Sequence, residues 1–309
     1  MYKYNHVIFC KSYRGDLQRI KTLKHSIDKF NIDKIPFIIC CPESDLVLFT
    51  SELKTNQETY DFLIVTDEAV LSANNLPPIS IQTWKTQQII KLGFYKLGLC
   101  KYYTIYDSDC YFISNFYTSD FIYAQKIPYL CISETLDPKS PLIPIKKYFN
   151  RTGRTYDFVH MSQTFSSAVL KDMEINLLQK HKITFSDLIK ICPYEFNWYG
   201  EYLLTTTKHK YIPATSKVRT YFYQEDYVLD RHRGIRIQDI ISMGYNCICM
   251  QSGWLNRSTY TNPWYGKLAR IKRNVFFRIH RGHKPGIIRK LILIIYKIPV
   301  WTIKEIIQA

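Results

Sequence analysis

The first 110 residues alternate between two hydrophobic periods, and few folds accept that alternation. HVIFC (6–10), IPFIICC (35–41) and the FLIVT within YDFLIVTDEAV (60–70) are short apolar runs of the kind that fill buried strands. Between them, DLQRIKTLKHSIDKF (16–30) places Leu17, Ile20, Leu23 and Ile27 on one face of a helix. IQTWKTQQIIKLGFYKLGLC (81–100) reads as a further helix with Trp84, Ile89, Leu92 and Tyr95 inward, and KYYTIYDSD (101–109) returns to a strand. Strands alternating with helices predict an α/β layered sheet, mainly parallel and flanked by helices. In such sheets ligands bind beyond the carboxyl ends of the strands.

That last strand ends on two carboxylates. Residues alternating along a strand point to opposite faces, so Asp107 and Asp109 are expected to share a face with Ser108 turned away. Two neighbouring carboxylates raise one another's pKa, and a hard divalent cation such as magnesium or manganese removes the conflict. A polar turn after a strand is the simpler alternative, and Asp-Ser-Asp alone does not decide between them.

The rest of the chain sets limits. The stretch 131–202 is richer in Pro, Asn and Thr, with SSAVLKDMEINLLQKH (166–181) its clearest helix; YNCICMQ (245–251) alternates like a strand. Hydrophobic residues at 46% and aromatic residues at 15% exclude a disordered protein. The net charge of +16 is concentrated late: residues 240–304 hold 12 Lys and Arg and no Asp or Glu. Such a concentration describes a partner surface rather than a fold. Nine cysteines without a single C-x-x-C suggest reduced, buried thiols and a cytosolic location. The N-terminus enters a strand directly, without the apolar segment of a signal peptide, and the run 291–296 is too short to span a bilayer.

Four segments in order, KSYRGDLQRIKTLKHSI, WKTQQIIKL, YDSD and YEFNWYGEYL, resemble GT-A glycosyltransferases, in particular an uncharacterised DUF6492-like bacterial group associated with surface polysaccharides. The resemblance covers residues 11–203, about two-thirds of the chain. It implies a GT-A (Rossmann-like) catalytic domain over 1–255, its donor half about 1–125 and its acceptor half about 126–255, followed by a basic helical extension at 256–309. It places Ser12, Asp16 and Arg19 where such enzymes hold the nucleotide's base and ribose. A helix start there also offers free N–H groups to a phosphate. Gln87, Gln88 and Lys91 lie on one helix; Gln88 and Lys91, three apart, can face one ligand, and a lysine suits a diphosphate. In the acidic pair, read as a DxD motif, the resemblance implies that Asp109 ligates Mn²⁺ or Mg²⁺ directly, while Asp107 contacts the ribose or reaches the metal through water. The cation would neutralise the diphosphate leaving group.

In CPYEFNWYGEYLL (192–204), inverting transfer needs a base for the acceptor hydroxyl, and glutamate serves that role. Glu195 matches the group's E-[FY]-x-x-Y-G pattern, with Glu201 the second candidate. Tyr194, Phe196, Trp198 and Tyr199 are expected to form a sugar-stacking floor and to desolvate Glu195, raising its pKa, with His160, Trp198 and Tyr199 on the acceptor side. Many GT-A enzymes take a third metal ligand, usually His, from a late loop; here Gln251 and Ser252 occupy that place and the ligand stays open, while His232, His280 and His283 sit among basic residues.

The expected partners are a UDP-, GDP- or CMP-sugar and a lipid-linked glycan of lipopolysaccharide core, O-antigen or capsule. The tail, basic and aromatic beside Ile and Leu, fits an interfacial anchor on the anionic inner face of the cytoplasmic membrane. Two other classes remain: a metal-dependent nucleotidyltransferase or phosphodiesterase, and a basic nucleic-acid-binding protein. The latter lacks any recognisable RNA- or DNA-binding module.

Overall fold

The structure is a computed structural model that describes residues 2–55, 59–77, 84–124, 126–135, 140, 142–222 and 224–251. The chain opens as β1 (Tyr4–Lys11), α1 (Leu17–Phe30), β2 (Phe37–Cys41), α2 (Leu46–Leu53), β3 (Phe62–Thr66), α3 (Asp67–Ala73), α4 (Trp84–Gly93) and β4 (Cys100–Ile105). Short elements follow: β5 (Cys110–Phe112), β6 (Ile122–Tyr123), β7 (Ile127–Cys131), β8 (Ser133–Thr135), α5 (Ile143–Tyr148) and β9 (Thr155–Asp157). Then come β10 (Gln163–Ser166), α6 (Ser167–Met173), α7 (Phe185–Ile191), α8 (Glu195–Thr205), β11 (Ile212–Ala214) and β12 (Val218–Tyr221). The described chain closes with α9 (Gln224–His232), α10 (Ile237–Ser242) and β13 (Cys247–Met250).

The central sheet has five strands in the order β10-β4-β1-β2-β3. β1 pairs parallel with both β2 and β4, β2 pairs parallel with β3, and only β10 runs antiparallel. The architecture is the mixed α/β, mainly parallel sheet that the sequence predicts. Helices on both faces explain why β2, FIICC, is apolar and buried at every position. One polar thread crosses this core: His6 Nε2 lies 2.7 Å from Thr104 Oγ1, which lies 2.8 Å from Thr164 Oγ1. Burial pushes the His6 imidazole down to about 3, so the thread is neutral at physiological pH.

α1 turns Ile20, Leu23 and Ile27 into the core, as the periodicity predicts. α4 does the same with Ile89 and Leu92, and Tyr95 in the following 3-10 turn is buried too. Trp84 departs from the expectation. At the first turn of α4 it is 53% exposed, with its indole edge-on to Tyr194 at 6.0 Å.

The described residues divide into two compact units: those up to Arg219 with Tyr245–Cys249, and those of Thr220–Gly244 with Met250 and Gln251. No helix among the described residues is long and apolar enough to cross a membrane.

Candidate active site

The acidic pair lies beyond the end of β4. That strand stops at Ile105, and the Tyr106 amide donates to the Phe9 carbonyl, keeping the exiting chain beside β1. Cys110 N donates to Asp107 O at 3.1 Å and closes a tight turn over Asp107, Ser108 and Asp109. Asp107 and Asp109 are both partly exposed while Ser108 between them is buried, and the three side chains meet three different partners.

Asp107 turns to Lys91. The Lys91 ammonium sits 2.8 Å from Asp107 Oδ1 and 2.9 Å from Glu195 Oε1, so α4, the β4–β5 turn and the first residue of α8 meet at one buried cation. Burial works against the Lys91 charge, but the carboxylates of Asp107 and Glu195 outweigh it and raise its pKa. The Phe196 ring, 5.2 Å below the ammonium, adds a cation–π contact. Glu195 is itself buried, which pushes its carboxyl up from the ordinary value, while Lys91 pulls the other way.

Ser108 turns to the β1–α1 junction. Its hydroxyl donates to Asp16 Oδ2 at 2.8 Å, and Arg19 Nη1 donates to Asp16 Oδ1 at 2.5 Å. Asp16, Arg19 and the acidic turn, 92 residues apart in sequence, thus form one cluster. Ser12 sits just before it, fully buried, its amide bonded to the Cys40 carbonyl. The Ser12 hydroxyl and Gln88 Oε1 have no hydrogen-bond partner among the described residues, although Gln88 donates its amide to the Trp84 carbonyl. Buried polar atoms without partners are uncommon enough to need an explanation.

Asp109 meets β13, where Cys249 Sγ donates to its Oδ1 at 3.3 Å. The β5–β13 ladder sets Cys249 directly opposite Cys110. All nine cysteines are free and buried.

The remaining candidates fall elsewhere. Glu201 is held two-pronged by Arg151, Nε to Oε2 at 2.5 Å and Nη2 to Oε1 at 2.7 Å, so both of its oxygens are committed to a structural pair. Trp198 and Tyr199 are completely buried. The Trp198 indole N–H donates to the Cys192 carbonyl, and Tyr199 stacks on Phe165 at 4.1 Å while its hydroxyl accepts from Ser166 N. The expected sugar-stacking floor at these two positions is therefore core. His160 Nε2 lies 3.0 Å from Ser133 Oγ, and burial lowers its imidazole pKa against the opposing field of Asp157. His232 is exposed on α9. Gln251 follows β13 with its amide on the Tyr221 carbonyl, whereas Ser252, His280, His283 and the basic extension lie outside the described residues.

The sequence reading missed one buried ion pair at the same edge of the sheet. Lys11, the last residue of β1, meets Asp67, the first residue of α3, at 3.0 Å, and Cys40 Sγ donates to the same carboxylate. Burial raises the Asp67 pKa, with Lys11 opposing. A lysine closing the apolar run VIFC of β1 was the available signal.

Residues 6–139, less than half of the chain, match a family of unknown function, DUF6492. No curated protein matches the chain at a significant level. Among solved structures, the apo crystal structure of mouse xyloside xylosyltransferase 1 is similar at a TM-score of 0.46 and 8% identity, over 80% of this chain and 98% of that one.

Proposed function

We propose that the chain is a glycosyltransferase of the GT-A kind that moves a sugar from a UDP-, GDP- or CMP-sugar to a lipid-linked oligosaccharide. The observation that carries this reading is the chain of charges Asp107–Lys91–Glu195 at the carboxyl end of a parallel sheet, joined through Ser108 to Asp16. Ligands of open α/β sheets bind at that edge.

In this reading Ser12, Asp16, Arg19 and Gln88 bind the nucleotide, and Asp107 holds the ribose with the oxygen that Lys91 leaves free. The acceptor hydroxyl attacks the anomeric carbon as the bond to the diphosphate breaks, and the electron pair leaves with the phosphate. Glu195 takes the hydroxyl proton. Its raised pKa makes it a stronger base than an exposed glutamate, and Lys91 keeps it ionised until the proton arrives. Asp109 is the residue that would hold a divalent cation, and such an ion supplies charge neutralisation to the departing diphosphate. Its carboxylate suits Mn²⁺ or Mg²⁺, whereas its two thiol neighbours do not suit magnesium.

Under this reading residues 1–255 form the catalytic domain and 256–309 hold the protein against the inner face of the cytoplasmic membrane. The test is a thermal-shift screen of nucleotide sugars with and without divalent cation. A ligand at 100 times its Kd stabilises the native state by about 2.7 kcal/mol, so one nucleotide-sugar class should raise Tm and the nucleoside alone should raise it less. No shift with any nucleotide sugar, together with pyrophosphate release from a nucleoside triphosphate, would replace this reading by nucleotidyl transfer.

A further inference from the structure

Asp109, Cys110 and Cys249 present one carboxylate oxygen and two thiol sulfurs, all within 4.8 Å of one another. They come from two chain segments locked in register: Asp109 and Cys110 from the turn into β5, and Cys249 from β13, which sits opposite Cys110 in the ladder. We propose that these three residues form a binding site for a thiophilic divalent cation, zinc or cobalt in character rather than magnesium, with Cys249 as the donor from the late strand. The proposal rests on the transferase reading only for its catalytic meaning, since the site itself is defined by its donors.

The spacing agrees with the chemistry. Zinc bonds sulfur at about 2.3 Å and carboxylate oxygen at about 2.0–2.2 Å in a tetrahedron, which sets sulfur and oxygen donors roughly 3.5 Å apart. Cys249 Sγ and Asp109 Oδ1 stand at 3.3 Å. Softness points the same way: thiolates select zinc, copper and related ions, while magnesium takes oxygen donors. On coordination each thiol gives its proton to water and binds as thiolate. Three protein donors leave the fourth tetrahedral position open, as catalytic zinc sites do. Asp109 is half-exposed while both thiols are buried, so the open position falls on the carboxylate's side, where the turn also carries Asp107. Asp107 completes no such set, because Lys91 already meets its charge.

The experiment uses the full chain, reduced and stripped with a chelator, then titrated with Co²⁺ alone. A thiolate-to-cobalt charge-transfer band in the near ultraviolet is expected, bleached by one equivalent of Zn²⁺ and untouched by excess Mg²⁺. Cys249→Ser should lose the band and weaken zinc at least about 100-fold, the upper end of what removal of a mere supporting neighbour costs. Asp109→Asn should keep a weakened band, since both sulfurs remain. Melting curves of the metal-free variants show whether each is folded. Should Cys249→Ser not fold, alkylation protection decides: bound zinc should slow the reaction of Cys110 and Cys249 and leave Cys192 unaffected. Cobalt binding without the band, or equal stabilisation by Mg²⁺ in wild type and Cys249→Ser, overturns the site. The band together with no shift from any nucleotide sugar upholds the site and removes the transferase reading. A nucleotide-sugar shift supported by Mg²⁺ without the band does the reverse.

Discussion

At the scale of single residues, the three carboxylates with sequence claims on chemistry now have different surroundings, and each implies its own experiment. Asp109→Asn should abolish transfer while the fold survives, because the amide oxygen still accepts from Cys249 but the charge that would hold a cation is gone. Wild-type turnover at any metal concentration would end the role of Asp109. Glu195→Gln should lose kcat far more than donor affinity, since a base acts in the transition state. The pH profile carries a sign. A base works only when unprotonated, and burial raises the Glu195 pKa; activity should therefore disappear, as pH falls, at a higher pH than an ordinary glutamate would set. The residual activity of Glu195→Gln should lack that acid limb. Glu201→Gln is the contrast: it leaves Arg151 facing a neutral amide in a mostly buried pair, a loss of about 1–3 kcal/mol of stability, with kcat per folded molecule retained. If kcat falls with Glu201 and not with Glu195, the base lies one helical face away from Lys91.

At the scale of elements, α8 shows best what sequence could and could not provide. Every residue from Glu195 to Leu203 is buried, so the helix has no open aromatic face. A helix apolar nearly all round is a core helix, and that signal was present in FNWYGEYLL; reading Trp198 and Tyr199 as a sugar floor overlooked it. The alternation of strands and helices was legible because the buried stretches of β1 and β2 leave the apolar runs VIFC and FIICC, and β4 is buried at every position but Lys101. The partners of Asp107, Ser108 and Asp109 were not, because Lys91, Asp16 and Cys249 come from three other segments that only the fold brings to this turn. Of the two thiols beside Asp109, Cys110 is its neighbour in sequence, but Cys249 is 140 residues away and only the β5–β13 pairing brings it there. Gly200 tests the packing of α8. A Cβ there would stand 2.3 Å from ring carbons of Phe158, itself fully buried. Alanine gains about 1 kcal/mol of helix propensity, but overpacking a core costs typically about 1–3 kcal/mol. Gly200→Ala is therefore expected to unfold at lower urea than wild type with an unchanged m-value; a higher midpoint would mean that the Phe158 ring yields.

At the scale of the whole molecule, the charge is divided more sharply than the fold. Residues 240–304 carry 12 of the 42 basic residues and none of the 26 acidic ones, so the rest of the chain is close to balance. Most of the tail in question lies outside the described residues, and its role is argued from sequence and tested by removal. Deleting residues 286–309 takes away Ile287, Ile288, Leu291, Ile292, Ile294, Ile295 and Trp301 together with Arg289, Lys290, Lys297 and Lys304. Each basic residue near an anionic leaflet contributes about 1 kcal/mol of attraction, and apolar side chains buried at the interface add to it. The sum holds a protein to a membrane weakly and reversibly, without a spanning helix. Neither contribution involves Lys91, Asp107, Asp16 or Glu195, which belong to the unit built from Met1–Arg219. The shortened protein should therefore still show a nucleotide-sugar shift in Tm and hydrolyse donor slowly. It should stop sedimenting with phosphatidylserine vesicles, and lose activity on a lipid-linked acceptor far more than on a soluble fragment of it. Raising the salt should release the full-length protein from those vesicles, because the basic contribution is screened within about 10 Å at 0.1 M ionic strength. If the shortened protein instead loses the nucleotide-sugar shift, and the full-length protein never sediments, the segment belongs to the folded catalytic body and the membrane reading falls.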